Sequence, residues 1–291
     1  MILDGLTLSR KIGEKLKLKI SSLKETPKLA IVQVGEVEQS TIFIARKVKY
    51  AASIGALTIH VNFPEAISES DLSEKIDELN KDESVHGIII QLPLPKHLNF
   101  LNLVDIIDQE KDVDGLGFKN IRALFSGEKR GFMPATARGI ISLLKEYKIE
   151  IKGKKVVIIN RSVLVGKPLA LALLNENATV SICNSHTKNL KEEVRTADIV
   201  ISAIGKPKFL GAEYFKNGQV VIDVGISRGI AEEGEGRKIS GDVDFERVEG
   251  LAEAISPVPG GVGPMTVASL FANLVESVER KRDNERLCST P

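Results

Sequence analysis

Tryptophan is absent from this 291-residue chain, and aromatic residues make up only 4% of it. Net charge is nearly absent too, with 40 basic residues against 39 acidic. Without a basic stripe or interleaved aromatics, nucleic acid is not an expected partner. Only two cysteines occur, Cys183 and Cys288, far apart and without metal-type spacing. That usage fits a reducing cytoplasm and argues against structural zinc, so no metal is expected. No apolar run is long enough to cross a membrane, and the opening Met1-Ile2-Leu3-Asp4-Gly5 breaks too early for a secretory leader. The ending Cys288-Ser289-Thr290-Pro291 lacks the aliphatic pair of a prenylation signal, so a polar tail is expected there. Internal repeats and low-complexity segments are also missing.

What remains is the composition of an ordinary globular protein, 43% hydrophobic and 27% charged, long enough for one large or two medium domains. Strand-like apolar runs alternate with amphipathic stretches almost from end to end, the pattern of an α/β protein with parallel sheets. The first series of strands reads as Lys28–Val34, Leu57–Phe63 and Gly87–Leu92, with helices near Thr41–Ser53 and Ser70–Asn80. A second series reads Val156–Ile159, Ala178–Cys183, Ile199–Ile204 and Val220–Val224, with helices at Pro168–Asn175 and Leu190–Arg195. Between the series, the charged and glycine-bounded Gly127–Gly131 marks a turn near a boundary. Two α/β lobes with a cleft between them are expected, the second a Rossmann-like doubly wound sheet.

The run Ser256-Pro257-Val258-Pro259-Gly260-Gly261-Val262-Gly263-Pro264-Met265-Thr266 alternates rigid and permissive backbone. A helical pattern of Val267, Leu270, Phe271, Leu274 and Val278 follows it, and Pro264 suits that helix's first turn. The run reads as a shaped backbone wall ending in a helix N-terminus, where free N–H groups can face a ligand. A rigid connector is the plainer alternative.

The segment Val156 to Pro168 is strand, polar turn and helix start, where a doubly wound sheet holds a dinucleotide pyrophosphate. The full G-x-G-x-x-G pattern is missing, and Asn160 stands where a first glycine would. Asparagine tolerates left-handed geometry better than most residues, so the turn survives. Pro168 in place of Ser or Thr after Gly166-Lys167 rules out a Walker loop. The second strand of this series ends in Cys183-Asn184-Ser185-His186-Thr187-Lys188, with no acid to accept from a ribose 2′-hydroxyl. Hydroxyls, a lysine and the neighbouring Arg161 suit a 2′-phosphate. NADP is therefore the expected cofactor and NAD the alternative, with a solvated polar turn as the bland reading.

Five segments together resemble the bifunctional methylenetetrahydrofolate dehydrogenase/methenyltetrahydrofolate cyclohydrolase family. They are Gln91-Leu92-Pro93-Leu94-Pro95, Lys111-Asp112-Val113-Asp114-Gly115, Arg161-Ser162 with Val165-Gly166-Lys167-Pro168, Asp223-Val224-Gly225-Ile226, and Pro257 through Thr266. They stand in the family's order and span nearly the whole chain. The resemblance implies a folate-binding catalytic domain at 1–121 plus 267–291 and an NADP-binding domain at 122–266. It implies a cytoplasmic homodimer that makes 10-formyltetrahydrofolate, a donor for purine biosynthesis. It also implies that Lys47 is the catalytic lysine, that Gln91 tunes it and that Asp114 holds the pterin. Phe43, Leu92, Val258, Pro259, Gly260 and Gly261 complete the folate site, and Asn160, Arg161, Ser162, Ser185, Ile226 and Thr266 hold NADP.

Departures from the family pattern carry their own expectations. Phe43-Ile44-Ala45-Arg46-Lys47 stands where the family has Tyr-x-x-x-Lys, so the ring is kept and the hydroxyl is lost. Dehydrogenation, a hydride transfer governed by ring alignment, is expected to tolerate Phe43 better than hydrolysis, which needs proton transfers. Tyr50, three residues beyond Lys47, either returns a hydroxyl or packs with its hydroxyl at the surface. Asn160, Asn184, His186, Ser227 and the stretch Pro134 to Gly139 also depart, mostly on the nucleotide side. Two alternatives stand beside the bifunctional enzyme. One keeps the dehydrogenase alone, and the other is a non-catalytic folate- or dinucleotide-binding homologue.

Overall fold

The computed structural model describes residues 1–228 and 239–288; the expected polar tail at 289–291 lies outside the described residues. The chain divides into two compact units. One comprises Arg10–Ala135 with the chain from Val267 on, and the other Met1–Ser9 with Thr136–Thr266. The expected division after residue 121 lies instead between Ala135 and Thr136. Two backbone anchors hold 122–135 in place: Phe132 N–H donates to Asn120 Oδ1 and Ala135 N–H to Asp114 O. The first residues go with the later unit because Leu3 N–H donates to Ile255 O, and Ile255 N–H to Met1 O.

The three-stranded unit follows α1 (Gly5–Ser21) with β1 (Lys28–Val34), α2 (Glu38–Ile54), β2 (Leu57–Phe63), α3 (Glu69–Lys81) and β3 (Gly87–Ile90). Two shorter helices follow, α4 (Phe100–Ile106) and α5 (Phe118–Ser126). The strands lie in the order β2-β1-β3, all parallel, with Lys28 opposite Leu57 and Leu29 opposite Gly87. From Leu29 on, β1 is an unbroken apolar run except for Gln33, because both faces of the sheet are covered. Its side chains alternate: Leu29 and Ile31 pack with Ala51, Ile54 and Phe271, whereas Ala30, Val32 and Val34 pack with Leu72, Ile76 and Leu103. Gly55 ends α2 in the left-handed region at φ 82°, which glycine adopts without strain.

The five-stranded unit contains α6 (Ala135–Glu146), β4 (Lys155–Ile159), α7 (Gly166–Asn175), β5 (Thr179–Cys183), α8 (Leu190–Thr196), β6 (Ile199–Ser202) and β7 (Val220–Asp223). A two-stranded pair, β8 (Ser227–Arg228) and β9 (Ile239–Ser240), precedes α9 (Phe245–Val248) and β10 (Ala254–Ile255). The sheet order is β10-β7-β6-β4-β5, again all parallel. β4 is flanked by the next strand on one side and by β6 on the other. The winding therefore reverses at β4, and the crevice at its carboxyl end is where doubly wound sheets bind ligands.

The last helix, α10 (Val262–Cys288), begins earlier than the apolar pattern from Val267 indicates, so Gly263 and Pro264 lie inside its first turn. Pro264 costs no hydrogen bond there, because first-turn N–H groups have no intrahelical acceptor. From Val267 on the helix packs in the three-stranded unit through Leu270, Phe271, Leu274 and Val275.

Candidate functional site

In the three-stranded unit, residues distant in sequence meet at the carboxyl end of the sheet. α2 carries Phe43 and Lys47 on one face, and β3 delivers Gln91 one residue past its end. Lys47 Nζ donates to Gln91 Oε1 at 2.8 Å, while Gln91 Nε2 donates to Leu92 O at 2.8 Å. The second bond fixes the amide, since a nitrogen committed to a carbonyl turns the oxygen toward the lysine. Buried Ser40, on the same face of α2, donates to that Leu92 oxygen at 3.2 Å. Ser40 carries no local signal of this role, because only the fold brings it to residue 92.

Electrostatics sharpen this pair. Burial lowers the Lys47 pKa from the ordinary lysine range, and the Asp114 carboxylate opposes that shift. Burial raises the Asp114 pKa, and the Lys47 charge opposes it in turn. A glutamine oxygen accepts from amine or ammonium alike, so it orients Lys47 without holding the proton on it as a carboxylate would. Phe43 is half-buried, with the Arg46 guanidinium 5.7 Å from its ring centroid.

Tyr50 is half-buried near the end of α2. Its ring packs against Phe271 with centroids 5.5 Å apart, and its hydroxyl lies where a Cβ on Gly13 would come within 3.3 Å. Burial pushes its pKa up, and it serves the core between α1 and α10.

The loop that carries Asp114 is held by a buried carboxylate two residues earlier. Asp112 Oδ1 accepts from Gly115 N–H at 3.0 Å, and Oδ2 accepts from Gly117 N–H and Asn120 Nδ2, both at 2.8 Å. On the other side of Asp114, Asn273 Nδ2 donates to Val113 O and Met133 O. Burial pushes the Asp112 pKa up to about 6. Asp112→Asn is expected to destabilise the unit by about 1–3 kcal/mol, because an amide NH₂ then faces an N–H donor. A urea midpoint that falls with an unchanged m-value checks this; an unchanged midpoint refutes it.

In the five-stranded unit, Asn160, Arg161 and Ser162 form the turn after β4, at the reversal of the winding. Arg161 and Ser185 are exposed, and Ile226 follows β7. Thr266 Oγ1 lies 3.4 Å from Thr136 Oγ1. After β5, Asn184 Oδ1 accepts from His186 N–H at 2.9 Å and Thr187 Oγ1 accepts from Asn184 N–H at 2.9 Å. Asn184 thus builds the turn, leaving Ser185, His186 and Lys188 exposed. This donor set of hydroxyls and cations, with no acid in the turn, fits a dinucleotide bearing a 2′-phosphate.

Two buried carboxylates shape the neighbouring loops. Asp242 accepts from Ser202 Oγ and from the N–H groups of Ile204, Gly205 and Lys206. Asp223 accepts from the N–H groups of Gly225, Asp242 and Val243, and burial pushes its pKa up to about 7. Val258 through Gly261 also belong to this unit. Gly260, at φ 112°, accepts at its carbonyl from Leu6 N–H at 2.8 Å, and a Cβ on Gly5 would collide with Gly261 O. The run packs tightly at Gly260 and Gly261, where a positive φ and a close backbone approach favour glycine.

A sheet reversing at a hydroxyl- and cation-lined turn, joined to a second α/β unit with a half-buried lysine, places the chain among two-unit proteins of the Rossmann-type dinucleotide-binding class. More narrowly, the chain belongs to the tetrahydrofolate dehydrogenase/cyclohydrolase family. Residues 3–114 match that family's catalytic domain and residues 134–282 its NAD(P)-binding domain. The chain is 46% identical over 282 residues to the bifunctional protein FolD of Agathobacter rectalis, covering 96% of this chain and 99% of that one. Among solved structures it superposes on the bifunctional FolD enzyme of Campylobacter jejuni with a TM-score of 0.93 at 43% identity, covering 97% and 99% of the two chains. The Trypanosoma brucei FolD, solved with NADP cofactor and an inhibitor, gives a TM-score of 0.92 at 34% identity, covering 97% and 98%.

Proposed function

We propose that this chain oxidises 5,10-methylenetetrahydrofolate to 5,10-methenyltetrahydrofolate with NADP, then hydrolyses the product to 10-formyltetrahydrofolate. The observation that carries this reading is the oriented, partly desolvated Lys47–Gln91 pair, because a protein that only bound folate needs no tuned lysine. Asp114 accepts paired N–H donors of the pterin, and the Phe43 ring stacks on it. Leu92 shapes the rest of the folate site in this unit, and Val258, Pro259, Gly260 and Gly261 are further candidates for folate contact. Arg161, Ser162 and Ser185 hold the phosphates of NADP, with Asn160, Ile226 and Thr266 beside them. Bound NADP supplies the hydride acceptor.

For hydrolysis, neutral Lys47 takes a proton from the water that attacks the methenyl carbon. As the bond from that carbon to N5 breaks, Lys47 returns its proton to N5, the hydroxyl on the carbon loses its own proton to solvent as the C=O forms, and the formyl group stays on N10. Gln91 keeps the lysine aimed through both transfers. The same reading makes the protein a cytoplasmic homodimer feeding purine biosynthesis, supported by the family pattern. No helix among the described residues is long and apolar enough to cross a membrane.

Phe43 tests the hydrolytic half. Phe43→Tyr is expected to raise cyclohydrolase turnover by roughly two- to tenfold, the worth of one added hydrogen bond to the proton-transfer site. Decay of methenyltetrahydrofolate absorbance, with no NADP present, measures it directly. An unchanged ratio of the two activities, or a gain in dehydrogenase alone, contradicts the assignment.

A further inference from the structure

The turn after β4 already contains an acceptor where a phosphate oxygen would be bound. In doubly wound sheets the pyrophosphate faces N–H groups in the first turn of the following helix. In α7, Gly166 N–H donates instead to Asn160 Oδ1 at 3.0 Å and Lys167 N–H to Ser162 O at 3.0 Å. Pro168 has no N–H, and Leu169 N–H is committed to Val165 O at 2.9 Å. Ahead of the helix, Ser162 sends both its N–H (2.8 Å) and its hydroxyl (2.7 Å) to the same Asn160 oxygen. One side-chain oxygen thus collects three donors.

The amide is also clamped from behind, since Asn160 Nδ2 donates to Ala203 O at 2.5 Å. That bond and the three donors leave only one assignment of the amide's oxygen and nitrogen. The turn is tight as well: a Cβ on Gly166 would fall 2.1 Å from Asn160 O and 2.7 Å from Oδ1. A glycine at position 160, as the G-x-G-x-x-G pattern has, would leave the space of that side chain to the ligand.

We propose that the Asn160 side chain is a built-in stand-in for a pyrophosphate oxygen, and that it sets the dinucleotide affinity of this chain. Binding must turn the amide away from Gly166 and Ser162 before their donors reach a phosphate. The residue stabilises the ligand-free turn and weakens the bound one. This rests on the NADP reading above, so the test separates the two.

NADPH affinity is measured by fluorescence titration of the full-length protein, for wild type, Asn160→Gly and Asn160→Ala, with the melting temperature of each ligand-free protein. Both variants are expected to melt lower yet bind NADPH about five- to tenfold more tightly, the worth of roughly one recovered hydrogen bond. A purely structural asparagine would lower stability and affinity together. Wild type that binds NADPH, with neither folded variant binding tighter, overturns the role given to Asn160. If neither wild type nor variants bind NADPH, the cofactor assignment itself falls and this inference falls with it.

Discussion

Lys47→Met is expected to lower cyclohydrolase turnover by roughly 10²–10⁴-fold, the usual worth of a positioned acid–base group, and to lower dehydrogenase turnover by far less. Methionine keeps the unbranched length of lysine, so folate packing should change little. The two reactions make different demands on the residue. Hydride transfer moves no proton from the folate and depends on alignment, whereas hydrolysis requires a base at the attacking water. Burial lowers the pKa of Lys47, so its neutral form is reached below the ordinary lysine range. Only that form accepts a proton; wild-type cyclohydrolase activity should therefore rise with pH through the lowered pKa. The rising limb should be missing in Lys47→Met. Separate assays of both activities across pH check the claim. Equal loss of both would mean that Lys47 positions the substrate rather than moving protons.

Asp114→Asn is expected to raise the folate KM by roughly 10- to 100-fold in both reactions, as loss of a charge-assisted paired contact would. It should also change the pH profile, and the sign follows from the field around the lysine. The Asp114 carboxylate favours charged Lys47 and so opposes the lowering caused by burial. Without that charge the Lys47 pKa falls further, and the rising limb of cyclohydrolase activity moves to lower pH. Initial rates against folate concentration at several pH values give both readouts. A KM that stays put, or a limb that moves to higher pH, contradicts the placement of Asp114. A shifted KM with an unmoved limb would separate folate binding from any influence on the lysine.

Much of the fold is legible in the residues, and the exceptions have physical causes. β1 and β2 match their expected bounds because each is a strand-rich run with polar or turn-forming residues at both ends. β3 stops at Ile90 rather than Leu92; Gln91 N–H still donates to Val32 O of β1, while its side chain meets Lys47. α6 has no clear signature: Gly139-Ile140-Ile141-Ser142-Leu143-Leu144 is a short apolar run whose periodicity suits strand and helix alike. α1 buries Leu8, Leu16 and Ile20 at multiples of four residues, but the exposed Leu6 and Leu18 beside them blur that face. β8, β9 and β10 are two-residue strands that no periodicity can announce.

The candidate site was legible only in part, and mostly through family motifs. Lys47 and Gln91 lie 44 residues apart, and nothing local to either marks the other as a partner. Asp112 stands in the same motif as Asp114 but reads as a turn aspartate until its three donors are seen. Asn120 and Asn273 carry no local signal, because their acceptors lie on other elements. Asn160 shows the opposite case. The sequence marks it as a departure from a glycine pattern, while the consequence, an amide capping the phosphate-binding turn, exists only in three dimensions.

The most direct measurement is one incubation of the wild-type protein with 5,10-methylenetetrahydrofolate and NADP, following NADPH by fluorescence and the methenyl species by absorbance. A bifunctional enzyme gives a steady rise of NADPH while the methenyl band stays low, because it decays to the formyl product faster than in buffer. Accumulation of methenyltetrahydrofolate in step with NADPH, decaying no faster than without protein, would contradict the hydrolytic assignment; no NADPH at all would contradict the enzyme.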